Sequence, residues 1–287
     1  MSKKNIPVSI LCANYNNSPF LYDFFESILN STVIPNEIII VDDCSTDNSI
    51  SIIQTYQAKF DNLRLFTLKK NIGFANALNF GLEKVATDYI VRIDPDDIFH
   101  TNRLKKQWEY LQENPKVDLV GSNVTYFSEN VNNNVGSSNF PKDYHEIKSR
   151  YRQGYHGLVH GSVMIKSKIL KEKRYFQDHV PAEEYDLFSR ILTDGYVTSN
   201  LREELTFVRV HNSSATHNYP ISTFKKICYL QQKHWGIEIS TYNFYRKYLM
   251  IFFYRKSLTN SFLKQSFFRV LTASLAPDLI INRLKKR

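Results

Sequence analysis

Three carboxylates stand within four residues at Asp94, Asp96 and Asp97, directly after the apolar residues Ile90, Val91 and Ile93. Acids packed this closely repel one another, and the repulsion calls for a cation or several hydrogen-bond donors. A hard divalent cation that also binds phosphate oxygens would meet that need. A second acid pair, Asp42-Asp43, ends a second apolar run at 37–41. Acids at the carboxyl ends of strands lie where open α/β sheets bind their ligands. One pair could hold a nucleoside, since a carboxylate accepts from an imide N–H or a ribose hydroxyl. The other could hold a metal and a diphosphate. Tyr15, just past the first apolar run, could stack on a base. The competing reading of 94–97 is an acidic loop that caps a helix starting near Asn102.

Other phosphate chemistries are excluded by pattern. No GxGxxG and no GxxxxGK[ST] follows any apolar run, which argues against a dinucleotide-binding dehydrogenase and a P-loop NTPase. The acidic loop is no EF-hand: Phe99 stands where that loop needs Gly, and Lys105 where it needs Glu. Cys12, Cys44 and Cys228 are odd in number and lack CxxC spacing, so neither a disulfide framework nor a zinc site is expected.

The elements that must position these acids follow from the apolar pattern. Runs at 7–12, 37–41, 63–68 and 90–93 read as buried strands, separated by helical spacing at 20–29, 48–59 and 74–85. This alternation predicts a mostly parallel central sheet flanked by helices. A helix after the acidic loop carries Leu104, Trp108 and Leu111, and 118–127 reads as a fifth strand. The polar, Asn-rich stretch 128–141 reads as a mobile loop. Strands at 161–166 and 205–210 and a helix over 185–192 complete a first domain, 1–219.

In order and spacing, the motifs resemble family 2 glycosyltransferases. They are Val8-Ser9-Ile10-Leu11 with Asn14-Tyr15-Asn16, Ile40 through Asp47, Asn71-Ile72-Gly73, and Asp94-Pro95-Asp96-Asp97 with Asn102-Arg103-Leu104. His160 through Met164, Ala182 through Leu187 and Arg209-Val210-His211 continue the likeness. The resemblance implies an inverting enzyme of GT-A fold that uses a nucleotide-diphosphate sugar. It implies that Asp43 binds a uracil-like base with Asp42 beside it, that Tyr15 stacks on that base, and that Ala13 and Asn71 line the nucleotide. Asp94 and Asp96 form the DxD motif: Asp94 reaches the ribose or diphosphate, and Asp96 ligates Mn²⁺ or Mg²⁺. Asp97 reads as a cap for the following helix. Glu184 stands at the general base, with Glu183 or Asp186 as alternatives; His160 faces the acceptor side, and His211 approaches the metal. Ala13, Cys44 and Glu184 depart from the usual Pro or Thr, Gly and Asp. The QxxRW motif of processive synthases is absent, which points to addition of single sugars, hexosyl or N-acetylhexosaminyl, in surface polysaccharide synthesis.

The net charge of +9 belongs to the end of the chain. Residues 220–287 hold 13 Lys/Arg, two Asp/Glu and 13 aromatics, leaving −2 for residues 1–219. The apolar run 248–254 is bracketed by Arg246-Lys247 and Arg255-Lys256. Such a basic, aromatic helical extension suits a membrane surface, so a peripheral place on the inner face of the cell membrane and a glycan or lipid-linked acceptor are expected. The alternatives are a helical subdomain packed on the core or on a second copy, and an RNA-binding tail, which no nucleic-acid motif supports. No transmembrane helix and no signal peptide are expected. A different class of function, a catalytically inactive nucleotide-sugar-binding or scaffolding subunit, is motivated by the three departures.

Overall fold

A computed structural model of the chain describes residues 3–211, 220–258 and 261–275. The strands at 7–12 and 37–41 extend to β1 (Lys4–Asn14) and β2 (Val33–Asp42), with α1 (Leu21–Leu29) between them. Then come α2 (Ser49–Gln57), β3 (Leu63–Thr67), α3 (Phe74–Leu82) and β4 (Tyr89–Arg92). A two-residue β5 (Ile98–Phe99) precedes α4 (Arg103–Glu113), β6 (Leu119–Ser128) and β7 (Asn130–Ser137). The chain continues through α5 (Tyr144–Arg152), a 3₁₀ turn at His160–Ser162, β8 (Met164–Lys166) and α6 (Ser167–Lys173). A second 3₁₀ turn at Gln177–His179 leads to α7 (Glu183–Thr193) and β9 (Thr198–Arg209). Three helices follow: α8 (Ile221–Trp235), α9 (Thr241–Lys256) and α10 (Phe262–Leu275).

The strand order is β3-β2-β1-β4-β8-β6-β9-β5, with β7 paired to β6. The first four strands are parallel. The β4–β8, β8–β6 and β9–β5 pairs are antiparallel, so the sheet is mixed beyond β4. The parallel half explains the near-continuous apolar runs, because helices cover both of its faces. Ile10, Ile38, Ile40 and Val91 are fully buried and pack with Phe24, Phe25 and Ile53 from α1 and α2. Each such side chain contributes about 1.5–3 kcal/mol by leaving water.

The β1–β2 register pairs Asn14 with Asp42, so the Tyr15 turn and the first acid pair emerge at the same sheet edge. The β1–β4 pairing brings Leu11 beside Arg92, two residues before Asp94. Three sequence expectations change here. The stretch 128–141 holds β7 rather than a mobile loop. Asp97 does not cap the next helix: β5 intervenes, and the N-cap residue is Asn102, whose side chain makes no capping hydrogen bond. The helices α5 and α6 lay outside the expected elements.

The contacts divide the chain into two units. The first is Met1–Thr125 with Ser138–Val208, and the second is Tyr126–Ser137 with Arg209–Arg287. The boundary expected at 219 lies outside the described residues; the second unit also takes in β7. Within that unit Val135, Val210 and Leu258 form a small apolar cluster. The rings of Phe224 and Phe244 lie 5.0 Å apart, and Phe253 stacks on Phe268 at 6.2 Å.

Candidate active site

The acidic loop is built around a buried cation. Arg92, the last residue of β4, is fully buried, and its guanidinium pairs with Asp94, whose side chain is a third exposed. Phe74 lies under the same guanidinium at 5.2 Å. Burial raises the Asp94 carboxyl from its ordinary value; Arg92 opposes this shift and Asp96 adds to it. Arg103, also fully buried, donates to the carbonyl of Arg92 at 2.8 Å and to Gln107 at 3.1 Å. Burial and the Arg92 charge pull Arg103 downward, against Asp97, yet a guanidinium stays charged at neutral pH. Two buried cations thus lie behind three acids, and a buried ion is tolerated only when it is paired.

Of the three acids, Asp97 is buried and Asp96 half-buried. Asp97 lies against the 3₁₀ turn at 160–162: a Cβ on Gly161 would come within 3.1 Å of Asp97 Oδ2 and 3.4 Å of Asp94 Oδ2. A side chain on this residue would press on the carboxylates, so glycine suits the close approach of the turn to the acids.

The first acid pair holds the loops at the end of β2 in place. Asp42 is fully buried and accepts from the Asn14 amide at 2.7 Å, and from the Ser45 N–H and hydroxyl at 2.9 and 2.6 Å. Asp43 accepts the N–H groups of Ile72 and Gly73 at 2.8 and 2.9 Å, one on each oxygen, and so pins the turn that holds Asn71. Asn71 is exposed, and its Oδ1 accepts from Gly73 N. Ala13 is buried in β1, while Tyr15 beyond it is half exposed. Gly73 has φ of 89°, and a Cβ there would strike the Gln177 amide at 2.4 Å. Gln177 Oε1 accepts from Ala75 N at 3.0 Å, which ties the start of α3 to the turn that leads into α7.

At the start of α7 the three acids have different surroundings. Asp186 is fully buried and held by Arg190 at 2.8 Å, with His179 Nδ1 3.1 Å from its other oxygen. Glu183 is buried. The Glu184 side chain is a third exposed, with His156 Nδ1 3.6 Å from one oxygen and His160 Nδ1 3.8 Å from the other. His160 is buried and hydrogen-bonds Tyr175 through Nε2 at 2.8 Å. Burial, with Arg92 and His156 nearby, holds His160 well below its ordinary pKa. Burial pushes the Tyr175 phenol up. The turn at 160–162 therefore bridges the acid cluster, through Gly161, and Glu184, through His160. His211, directly after β9, belongs to the second unit.

Residues 9–173 match the family described as Glycosyl transferase family 2. The chain belongs to that family. It is 32% identical to an uncharacterized glycosyltransferase, MJ1057, of Methanocaldococcus jannaschii, over 79% of each chain. It is 29% identical to a UDP-Gal:alpha-D-GlcNAc-diphosphoundecaprenol beta-1,3-galactosyltransferase of Escherichia coli, over 78% of this chain and 83% of that one. It is 31% identical to the amylovoran biosynthesis glycosyltransferase AmsE of Erwinia amylovora, over 70% and 75%. Among solved structures, S. aureus TarS 1-349 with UDP superposes with a TM-score of 0.60 at 14% identity, covering 98% of this chain and 92% of that one. The mannosyltransferase PcManGT of Pyrobaculum calidifontis, with GDP-Man and Mn2+, superposes with a TM-score of 0.60 at 17% identity, over 96% and 75%. The fold is the GT-A fold of such transferases, a mixed α/β sheet with C-terminal helices.

Among the described residues no three His, Cys, Asp or Glu side chains form a metal-binding group. A donor-borne cation needs no such cage, since Mg²⁺ in these settings takes one or two carboxylates, water and substrate phosphates. Half-buried Asp96 offers one such carboxylate, and oxygen donors suit Mg²⁺ and Mn²⁺. Sequence reasoning missed Arg92, His156, Tyr175 and Gln177. Arg92 carried a signal, a charge inside an otherwise apolar strand; the others carried none.

Proposed function

We propose that this chain transfers one sugar from a UDP-sugar to a hydroxyl of a glycan or lipid-linked acceptor, with inversion at the anomeric carbon. The observation that carries the proposal is the 160–162 turn, which runs beside Asp94 and Asp97 at Gly161 and beside Glu184 at His160. A donor diphosphate at the acids would then have a carboxylate near its sugar. Glu184 is assigned as the base rather than Glu183 or Asp186, because those two are buried and Asp186 is committed to Arg190 and His179. It takes the acceptor proton as the hydroxyl attacks, a role that contributes about 10²- to 10⁴-fold. Tyr15, Asp43 and Asn71 line the nucleotide, and Asp94 orients the diphosphate. Asp96 would hold Mn²⁺ or Mg²⁺, which when bound supplies Lewis-acid stabilisation of the departing diphosphate. The Escherichia coli relative, named for galactosyl transfer to alpha-D-GlcNAc-diphosphoundecaprenol, and the relative named for amylovoran biosynthesis support this acceptor class. An intact acid cluster and an accessible Glu184 favour an enzyme over an inactive subunit.

The second unit is assigned to an anionic membrane surface. Among the described residues no helix is long and apolar enough to cross a membrane. Tyr242, Tyr245, Leu249 and Tyr254 of α9 are exposed, and Arg246, Lys247, Arg255 and Lys256 beside them are half-buried. The test of the donor is a thermal-shift series with UDP-glucose, UDP-galactose, UDP-N-acetylglucosamine and GDP-mannose, each with Mn²⁺. Stabilisation by a UDP-sugar supports the reading, since a ligand at 100 times its Kd adds about 2.7 kcal/mol. Stabilisation by GDP-mannose alone would replace UDP with GDP.

A further inference from the structure

His156 sits on a connection that is built tightly for a surface loop. Its carbonyl accepts from Arg150 Nε at 2.7 Å, and the Tyr155 N–H donates to the Arg150 carbonyl at 2.9 Å. The next residue, Gly157, lies so close to α5 that a Cβ would meet the Ile147 backbone at 3.2 Å, and its carbonyl accepts from the Asn200 amide at 2.8 Å. The imidazole is wedged edge-on between Tyr151 and Tyr185, with ring centroids at 6.1 and 5.7 Å. Backbone clamp and ring packing together fix where the imidazole points, and it points at Glu184, with Nδ1 3.6 Å from Oε1. The ring is a quarter exposed, so water reaches it.

We propose that His156 is a positioning residue for Glu184, holding the carboxylate ionised and turned toward the acceptor hydroxyl. This rests on the assignment of Glu184 as the base. Several titratable groups face that carboxylate: His156 from the loop, His160 from the 3₁₀ turn, Tyr151 from α5, Tyr175 from the segment after α6, and Glu183 beside it. Arg92 and Asp94 lie beyond His160 and Tyr175. Burial and Arg92 keep His160 neutral, and burial keeps both phenols protonated. His156 is the partly exposed basic side chain among these groups. A cation there favours the ionised carboxylate and holds the acidic limb of kcat at lower pH. A distance of 3.6 Å is longer than a hydrogen bond, and such pairs tighten when substrate closes the site.

The experiment compares wild type, His156→Ala, His156→Gln and Glu184→Gln. UDP release is measured as a function of pH, using the most active UDP-sugar of the series above and a lipid fraction extracted from cells as acceptor. His156→Ala is expected to lower kcat about 10- to 100-fold, the scale of a misplaced group, with the donor KM unchanged and the acidic limb moved to higher pH. His156→Gln keeps an N–H donor but no charge, so it restores part of kcat at the optimum while the limb stays displaced. A purely structural role would instead lower the melting temperature and leave the limb in place. The inference is overturned if Glu184→Gln is inactive and both His156 variants keep the wild-type limb. Transfer by Glu184→Gln would remove the base assignment itself, and the inference with it.

Discussion

At the scale of single residues, the acids that look alike in the sequence have different surroundings in the structure. Asp94 pairs with Arg92, Asp97 lies buried beside Gly161, and Asp96 is half-buried, the position at which the cation is proposed to bind. Asp96→Asn is expected to lower sugar transfer at least 100-fold with an unchanged melting temperature. Activity within threefold of wild type, after chelation and return of Mn²⁺, would refute the role. Asp94 is a poorer probe, because its removal also strands a buried guanidinium. His160 makes a different prediction. Its folded pKa lies well below the ordinary value near 6.5, so the unfolded chain binds a proton that the folded chain refuses. Stability is therefore full above about pH 6.5 and falls on acidification below it, by up to about 1.4 kcal/mol per pH unit for one such group. Urea unfolding at pH 7.5 and 5.5 should show this loss, and His160→Gln should flatten the difference. The acid clusters were legible because acids ending apolar runs stand out, whereas Glu184 was legible only through the order and spacing of the family motifs. His156 was not, since a lone histidine in a polar stretch carries no periodicity, and its meaning comes from a loop folded onto α5.

At the scale of elements, the parallel half was legible because strands buried on both faces read as unbroken apolar runs. β7 was not: of Asn130–Ser137 only Val135 is buried, and pairing with β6 outweighs the turn-forming asparagines. The helix α5 left a usable signal. Asp143 stands three residues before Glu146 and caps the helix by accepting from His145 N and Glu146 N at 2.8 and 3.2 Å. The junction of α3 with the turn before α7 makes an element-scale prediction. Gly73→Ala forces a side chain into a left-handed backbone and onto Gln177. It is expected to cost about 1–3 kcal/mol, read as a lower urea midpoint, and to weaken UDP binding by loosening the Asp43–Gly73 turn. A midpoint equal to wild type would show that the turn is not held as described.

At the scale of the whole molecule, the charge is divided between the two parts of the chain: residues 1–219 are close to neutral and the basic surplus lies in 220–287. If the second unit docks on anionic lipid, the protein should sediment with vesicles of phosphatidylglycerol and phosphatidylcholine, and less so as salt rises. Reversing Arg246, Lys247, Arg255 and Lys256 to Glu should abolish sedimentation. Retained binding by that variant would assign the docking elsewhere. Family membership and fold follow from the ordered motifs, whereas the sugar and the acceptor depend on pocket shape, which no short motif encodes. The most direct test of the account is Glu184→Gln, followed by UDP affinity and by UDP release with the lipid acceptor fraction. The account predicts a UDP Kd within twofold of wild type and a loss of release of at least 100-fold. Release at the wild-type rate would contradict it.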